Sequence, residues 1–147
     1  MPEKARSILA FDFGLQRIGV AVGEPELGTA HPLPVVAAQS GTGRLTAIGE
    51  LVGEWQPALL VVGRPLDEDG LPHEMTRRAE RFARQLNGRF GLPVRLVDES
   101  YSSVEAESRV RAAYGRRRAA ALARGKALDS QAAQLLLEQY FNDKQAA

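Results

Sequence analysis

The residue best placed to do chemistry in this chain is Asp12, a lone carboxylate inside the apolar run Ile8-Leu9-Ala10-Phe11-Asp12-Phe13-Gly14. A charge on a buried strand costs on the order of several kcal/mol unless something pairs with it. The acid therefore asks for a cation, either an arginine or a metal ion. Two further carboxylates stand where other elements end or begin: Glu99 at the end of the strand-like segment 94–99, and Asp129 ahead of the amphipathic segment 130–141. Ligands collect at the carboxyl ends of parallel strands, which makes a site joining Asp12 and Glu99 geometrically reasonable. Oxygen donors without histidine or cysteine select hard cations, Mg²⁺ or Mn²⁺. Without a metal, clustered carboxylates repel and at least one should titrate high.

Each acid also has a plainer explanation. Asp129 has the residue type of a helix N-cap. Glu99 could be a solvated strand end, with Asp98 the active member of the pair. Arg17 or Arg95 could neutralise Asp12. The acidic segment Asp67-Glu68-Asp69-Gly70 suggests a calcium loop, but Pro65 would fall at the first ligand position and Thr76 at the twelfth. It reads as a turn instead. His31 and His73 are 42 positions apart, which gives zinc no support.

Strands must position these acids. Segments 7–13 and 17–24, then a shorter stretch around 29–36, read as an antiparallel set, with Pro32 and Pro34 placing the third strand at an edge or breaking it. Thr42 is a candidate N-cap for a helix carrying Leu45, Ile48, Leu51, Val52 and Trp55, which Pro57 ends. The fully apolar 58–63 suits a parallel strand buried on both faces. A second helix carries Met75, Ala79, Phe82, Ala83, Leu86 and Phe90, and Gly91-Leu92-Pro93 stops it before the strand 94–99. Ser102 and Glu105 have capping-box spacing and open a third helix. A basic loop over 115–126 precedes a last helix that Asp129 starts, with Ala132, Ala133, Leu136, Leu137, Tyr140 and Phe141. The order predicts an α/β fold: a mixed sheet of about five strands, three antiparallel and then parallel, flanked by helices.

At 147 residues, residues 1–147 are read as one domain with a sizeable core. The absence of cysteine rules out disulfides, thiolate zinc sites and cysteine nucleophiles. No stretch is long and apolar enough for a membrane span, and residues 1–6 have no signal-peptide character, so the cytoplasm is expected. Net charge is +1, but residues 109–126 hold seven basic side chains and no acid, which leaves −6 on the rest. Such a block is a candidate for binding a polyanion, or else a solvated face.

Asp12-Phe13-Gly14-Leu15-Gln16-Arg17-Ile18-Gly19-Val20-Ala21 resembles the opening motif of the YqgF or RuvX family, Holliday-junction-resolvase-like nucleases of the RNase H-like class. Val61-Val62-Gly63-Arg64-Pro65-Leu66 with Asp69-Gly70 is similar to its second motif, and Asp98-Glu99 with Ser102-Ser103-Val104-Glu105-Ala106 to its third. Asp129-Ser130-Gln131-Ala132-Ala133 with Leu136-Leu137-Glu138-Gln139-Tyr140-Phe141 resembles its fourth. Each motif alone is weak, and four in order across nearly the whole chain are strong. Two positions depart from the pattern: Ser100 stands where arginine is usual, and Arg64 where an apolar residue is common.

The resemblance implies an RNase H-like fold and a catalytic, metal-binding set of Asp12, Glu99 and Asp129. It implies hydrolysis of phosphodiester bonds in the 5′ end of precursor 16S rRNA or, by homology, in branched DNA. Two Mg²⁺ or Mn²⁺ ions would clamp the scissile phosphate, with Asp12 bridging them. Arg17, Arg64, Arg116, Arg117, Arg118, Arg124 and Lys126 would bind the nucleic-acid backbone, giving affinity without sequence readout. Ribosomal particles are a further expected partner, and the protein is expected to be a monomer or a weak homodimer. Two rivals stand beside this reading. Asp-x-Gly before an apolar strand also resembles the phosphate loop of the actin, Hsp70 and sugar-kinase group, whose two domains this chain has no room for. A ribosome-assembly factor that binds nucleic acid without turnover is the non-enzyme alternative.

Overall fold

Ile8, Leu9, Ala10 and Phe11 are all nearly excluded from solvent, which requires cover on both faces of the strand they form. The computed structural model describes residues 7–37, 41–67, 69–98 and 126–146 and supplies that cover. The strands are β1 (Ile8–Asp12), β2 (Arg17–Glu24), β3 (Thr29–Ala37), β4 (Leu59–Arg64) and β5 (Val94–Asp98). The helices are α1 (Gly41–Trp55), α2 (Glu74–Phe90) and α3 (Lys126–Ala146). The sheet order is β3-β2-β1-β4-β5. Antiparallel pairing joins β1 to β2 and β2 to β3, and parallel pairing joins β4 to β1 and β5. The mixed five-stranded sheet expected from the sequence is formed, with β3 and its two prolines at an edge.

Strand alternation divides the core in two. On one face Leu9, Phe11, Val20, Leu60 and Val62 pack against Ile48 of α1 and Ala79, Phe82, Ala83 and Leu86 of α2. On the other, Ile8, Ala10, Ala30 and Val61 pack against Leu136, Leu137 and Phe141 of α3. The close seating of α3 depends on Gly23. A Cβ there would lie 2.5 Å from the Thr29 carbonyl oxygen and 3.0 Å from the side chains of Leu137 and Phe141.

Two boundaries differ from expectation. The first helix begins at Gly41, so Thr42 lies in its first turn, where its carbonyl accepts a hydrogen bond from the Thr46 hydroxyl at 3.0 Å. The last helix begins at Lys126, three residues before Asp129. Lys126 is thus helical, and Asp129 is in the first turn, not at the cap. Ala127 and Leu128 are strong helix formers, which lets the helix extend past a plausible cap residue. The helix expected from Ser102 lies outside the described residues.

Candidate active site

Gly14 shapes the turn that carries Asp12 out of β1. A Cβ at this position would sit 2.5 Å from the backbone oxygen of Arg17, so the tight return into β2 requires a glycine. Asp12 ends β1 partly buried. By alternation it shares a face with Ile8 and Ala10, the face that α3 covers. Its partner on β2 is Gly19. On the other side, Gly63 follows Val62, the β4 partner of Phe11. The positions flanking Asp12 in the sheet therefore carry no side chains.

The path of α3 sets its first turn at the same end of the sheet. The Ser130 hydroxyl donates to the Leu33 carbonyl at 2.6 Å, and Gln134 Nε2 donates to the Ala30 carbonyl at 2.9 Å. Leu33 pairs with Val20, and Val20 with Phe11, the neighbour of Asp12. Further along, α3 reaches Gly23, which pairs with Ile8 at the start of β1. The helix thus runs opposite to β1 and begins where Asp12 ends the strand, with Asp129 one residue before Ser130. Buried Ser130 and half-buried Gln134 were given no structural role in the sequence reading. Polar residues four apart within an apolar helix pattern are the signal that could have found them.

Arg64 and Asp98 pair in register on β4 and β5 and project on the opposite face, toward α2. Arg64 donates from Nε to Glu80 Oε2 at 2.8 Å and from Nη1 to Asp98 Oδ1 at 2.9 Å. Its hydrogen bonds to Glu80, then to Asp98, raise the guanidinium pKa above its already high ordinary value. Arg64, expected on sequence to meet a phosphate backbone, thus holds two carboxylates in this structure. Glu80 was the residue missed, because nothing in its helix spacing points across to β4.

The loop after β4 is a turn, as the sequence suggested. Asp67 Oδ1 accepts from the amides of Asp69 at 2.9 Å and Leu71 at 2.8 Å. His73 caps α2: its Nδ1 accepts from the Met75 amide at 3.1 Å, while its own amide donates to Thr76 Oγ1 at 2.9 Å. The Thr76 hydroxyl donates to the Pro65 carbonyl and ties the loop to the helix.

Of the residues expected to act, Asp12, Arg17 and Arg64 lie among the described residues, on β1, β2 and β4. Lys126 and Asp129 are placed on α3 without a description of their side chains. Glu99, Arg116, Arg117, Arg118 and Arg124 lie outside the described residues. Among the described residues, no group of three or more histidine, cysteine, aspartate or glutamate side chains is assembled to hold a metal. The oxygen donor of Asp12, with no histidine or cysteine beside it in the sheet, and the start of α3 at the same sheet end fit a hard divalent cation.

Comparison with known proteins bears on this geometry. The family described as "RuvX: Holliday junction resolvase" matches residues 6–143. The chain belongs to the RuvX family. A relative from Paraburkholderia xenovorans (strain LB400) is 49% identical over 136 residues, covering 92% of this chain and 88% of its own. One from Burkholderia vietnamiensis (strain G4 / LMG 22486) is 50% identical over 137 residues, covering 93% and 89%. Both relatives bear the name of a candidate pre-16S rRNA nuclease. Among solved structures, T. thermophilus RuvC in complex with a Holliday junction substrate superposes with a TM-score of 0.60 at 17% identity, covering 95% of this chain and 96% of its own. Fowlpox virus resolvase, with its substrate Holliday junction DNA, superposes with a TM-score of 0.60 at 10% identity, covering 94% and 98%. These likenesses show that this RuvX chain has the RNase H-like fold of the resolvases. No described helix is long and apolar enough to cross a membrane.

Proposed function

We propose that this RuvX protein is a metal-dependent nuclease that hydrolyses phosphodiester bonds at the 5′ end of precursor 16S rRNA. The observation that carries the reading is the placement of Asp12: at the carboxyl end of β1, facing α3, between two glycine positions. The names of the relatives supply the substrate. Asp12, Glu99 and Asp129 would hold Mg²⁺ or Mn²⁺. When bound, the metal supplies a water activated at neutral pH and positive charge to offset the phosphate. The carboxylates hold that charge in place. Arg17, Arg116, Arg117, Arg118, Arg124 and Lys126 hold the flanking backbone by charge, without reading sequence.

Branched DNA is the second reading, favoured by the family's description as a Holliday junction resolvase. Cleavage measured in parallel on precursor rRNA ends and on four-way junctions, with Mg²⁺ and with Mn²⁺, separates the two. Metal-dependent turnover of the rRNA end is expected. Turnover of the junction alone would transfer the assignment to DNA, and nucleic-acid binding without turnover on either would make the chain an assembly factor.

A further inference from the structure

Helix α2 carries five arginines, Arg77, Arg78, Arg81, Arg84 and Arg89, against two glutamates, Glu74 and Glu80. Outside α2 and the segment 109–126, the chain sums to −9. The buried positions of α2 are Thr76, Ala79, Phe82, Ala83 and Leu86. At about 100° per residue, Arg77, Arg81 and Arg84 form one line opposite that face, and all three are exposed. The two glutamates are committed elsewhere. Glu74 takes the Arg78 guanidinium at 2.8 Å, and Glu80, one turn before Arg84, takes Arg64 at 2.8 Å. Among the described residues, the side chains of Arg81 and Arg84 make no hydrogen bond or ion pair. A solvated helix face usually alternates in sign, and like charges one turn apart weaken a helix. Arg77 with Arg81, and Arg81 with Arg84, are two such pairs, so the line works against its own helix. Gly88 extends the line, and nothing lies within 4 Å of where its Cβ would stand. Packing does not require that glycine, whereas a chain laid along the helix would meet open backbone there.

We propose that the outer line of α2 is a phosphate track that holds an arm of the nucleic-acid substrate away from the point of cleavage. The inference rests on the nuclease reading for the identity of the polyanion. The line starts at the Asp12 end of the molecule: β4 ends at Arg64, two residues past the partner of Phe11, and the Thr76 hydroxyl ties the first turn of α2 to the Pro65 carbonyl. From there α2 runs back along the sheet to Gly91. Because the line faces away from the sheet, it grips backbone that has already left the cleavage point. Arg77 to Arg84 covers about 10 Å of helix axis, the length of about three phosphates along one strand of a duplex. The guanidinium fork suits phosphate oxygens, and such contacts give register without sequence readout. An extended row of charge fits a strand better than it fits a single anion.

The test is fluorescence-anisotropy binding of the full chain, without divalent metal, to precursor rRNA ends and to four-way junctions across a salt series. Replacing Arg77, Arg81 and Arg84 together with alanine should weaken binding by about 10-fold or more at low salt and lower the log–log salt slope by about 2 to 3 units. The melting temperature should hold or rise, because alanine is the better helix former and the repulsion is gone. Lysine at the same three positions should restore most of the slope, since counterion release follows charge. A short oligonucleotide covering only the cleavage point should bind wild type and the alanine variant alike; an equal loss there would put the line at the cut and overturn the remote track. An unchanged dissociation constant and slope in the alanine variant, beside firm wild-type binding, would overturn the track and leave the nuclease reading standing. Loss of polyglutamate binding with nucleic-acid binding kept would make the line a dock for an acidic protein and overturn the track as well. A wild-type chain that binds neither substrate would sink the nuclease reading and the track together. Binding that the alanine variant loses, without turnover by wild type in Mg²⁺ or Mn²⁺, would sink that reading and keep the track.

Discussion

Asp12 is held at the end of a strand whose preceding four residues are nearly excluded from water, and glycine positions flank it on both neighbouring strands. A carboxylate kept in such surroundings for a metal should be dispensable for folding. Asp12→Asn should reduce cleavage to background while leaving the thermal midpoint unchanged or higher, because it would relieve repulsion among the acids of the proposed metal site. Wild-type cleavage rates in that variant would place the site elsewhere. The adjacent pair is tested in the same assay: Glu99→Gln should lose cleavage to the level of Asp12→Asn, and Asp98→Asn, whose oxygen can still accept from Arg64, should retain most of it. A silent Glu99→Gln would reverse the assignment. That Asp98 turns toward the α2 face could not be read from residue types alone, because its partner there is Arg64, 34 positions away.

At the scale of elements, α2 shows how local signals and tertiary ones divide the work. Its end was legible: Gly91 adopts φ 66°, and its amide donates to the Asn87 carbonyl, closing the helix in the left-handed conformation expected of a glycine there. Nothing lies within 4 Å of where a Cβ would stand, so the cost of Gly91→Ala is confined to the backbone. It should lower stability by roughly 1–2 kcal/mol in denaturant titration. The start of α2 carries a pH signature. The Arg78 hydrogen bond, then its charge, holds Glu74 below its ordinary value of 4.5. A depressed folded pKa gives stability that is present above the unfolded value and lost as pH falls through the folded one. The melting-temperature gap between wild type and Glu74→Gln should thus be open near neutral pH and close as pH drops below 4.5. A gap that stays constant down through that range would remove the ion pair as its cause. Where sequence reading went astray, at Thr42 and Asp129, it treated a good cap residue as a boundary. Helix ends are also decided by packing, and for α3 that packing is Ser130 and Gln134 against β3, across about 100 positions of sequence that no local window contains.

Across the whole chain, basic charge is concentrated in one segment of the sequence. The segment 109–126 carries +7 against −6 on the rest, and it precedes Asp129 directly in the chain. The first turn of α3, which contains Lys126 and Asp129, lies at the Asp12 end of the sheet. A polyanion drawn to this block would be delivered to the acids, where carboxylates alone would repel it and a divalent cation would reverse the local sign. This division of labour separates two measurable quantities. Asp12→Asn should change turnover and leave substrate affinity largely intact. Replacing Arg116, Arg117 and Arg118 together with alanine should weaken binding and leave melting temperature nearly unchanged. For every phosphate no longer neutralised, the slope of log K against log salt should fall by about 0.7 for single strands and about 0.9 for duplex. A triple variant that leaves three phosphates unneutralised would thus flatten the slope by roughly 2 to 3 units, with the affinity deficit fading as salt rises. An unchanged dissociation constant and slope would make the block a solvated surface, and the entry path for substrate would then have to be sought at Arg17 and the β1–β2 turn.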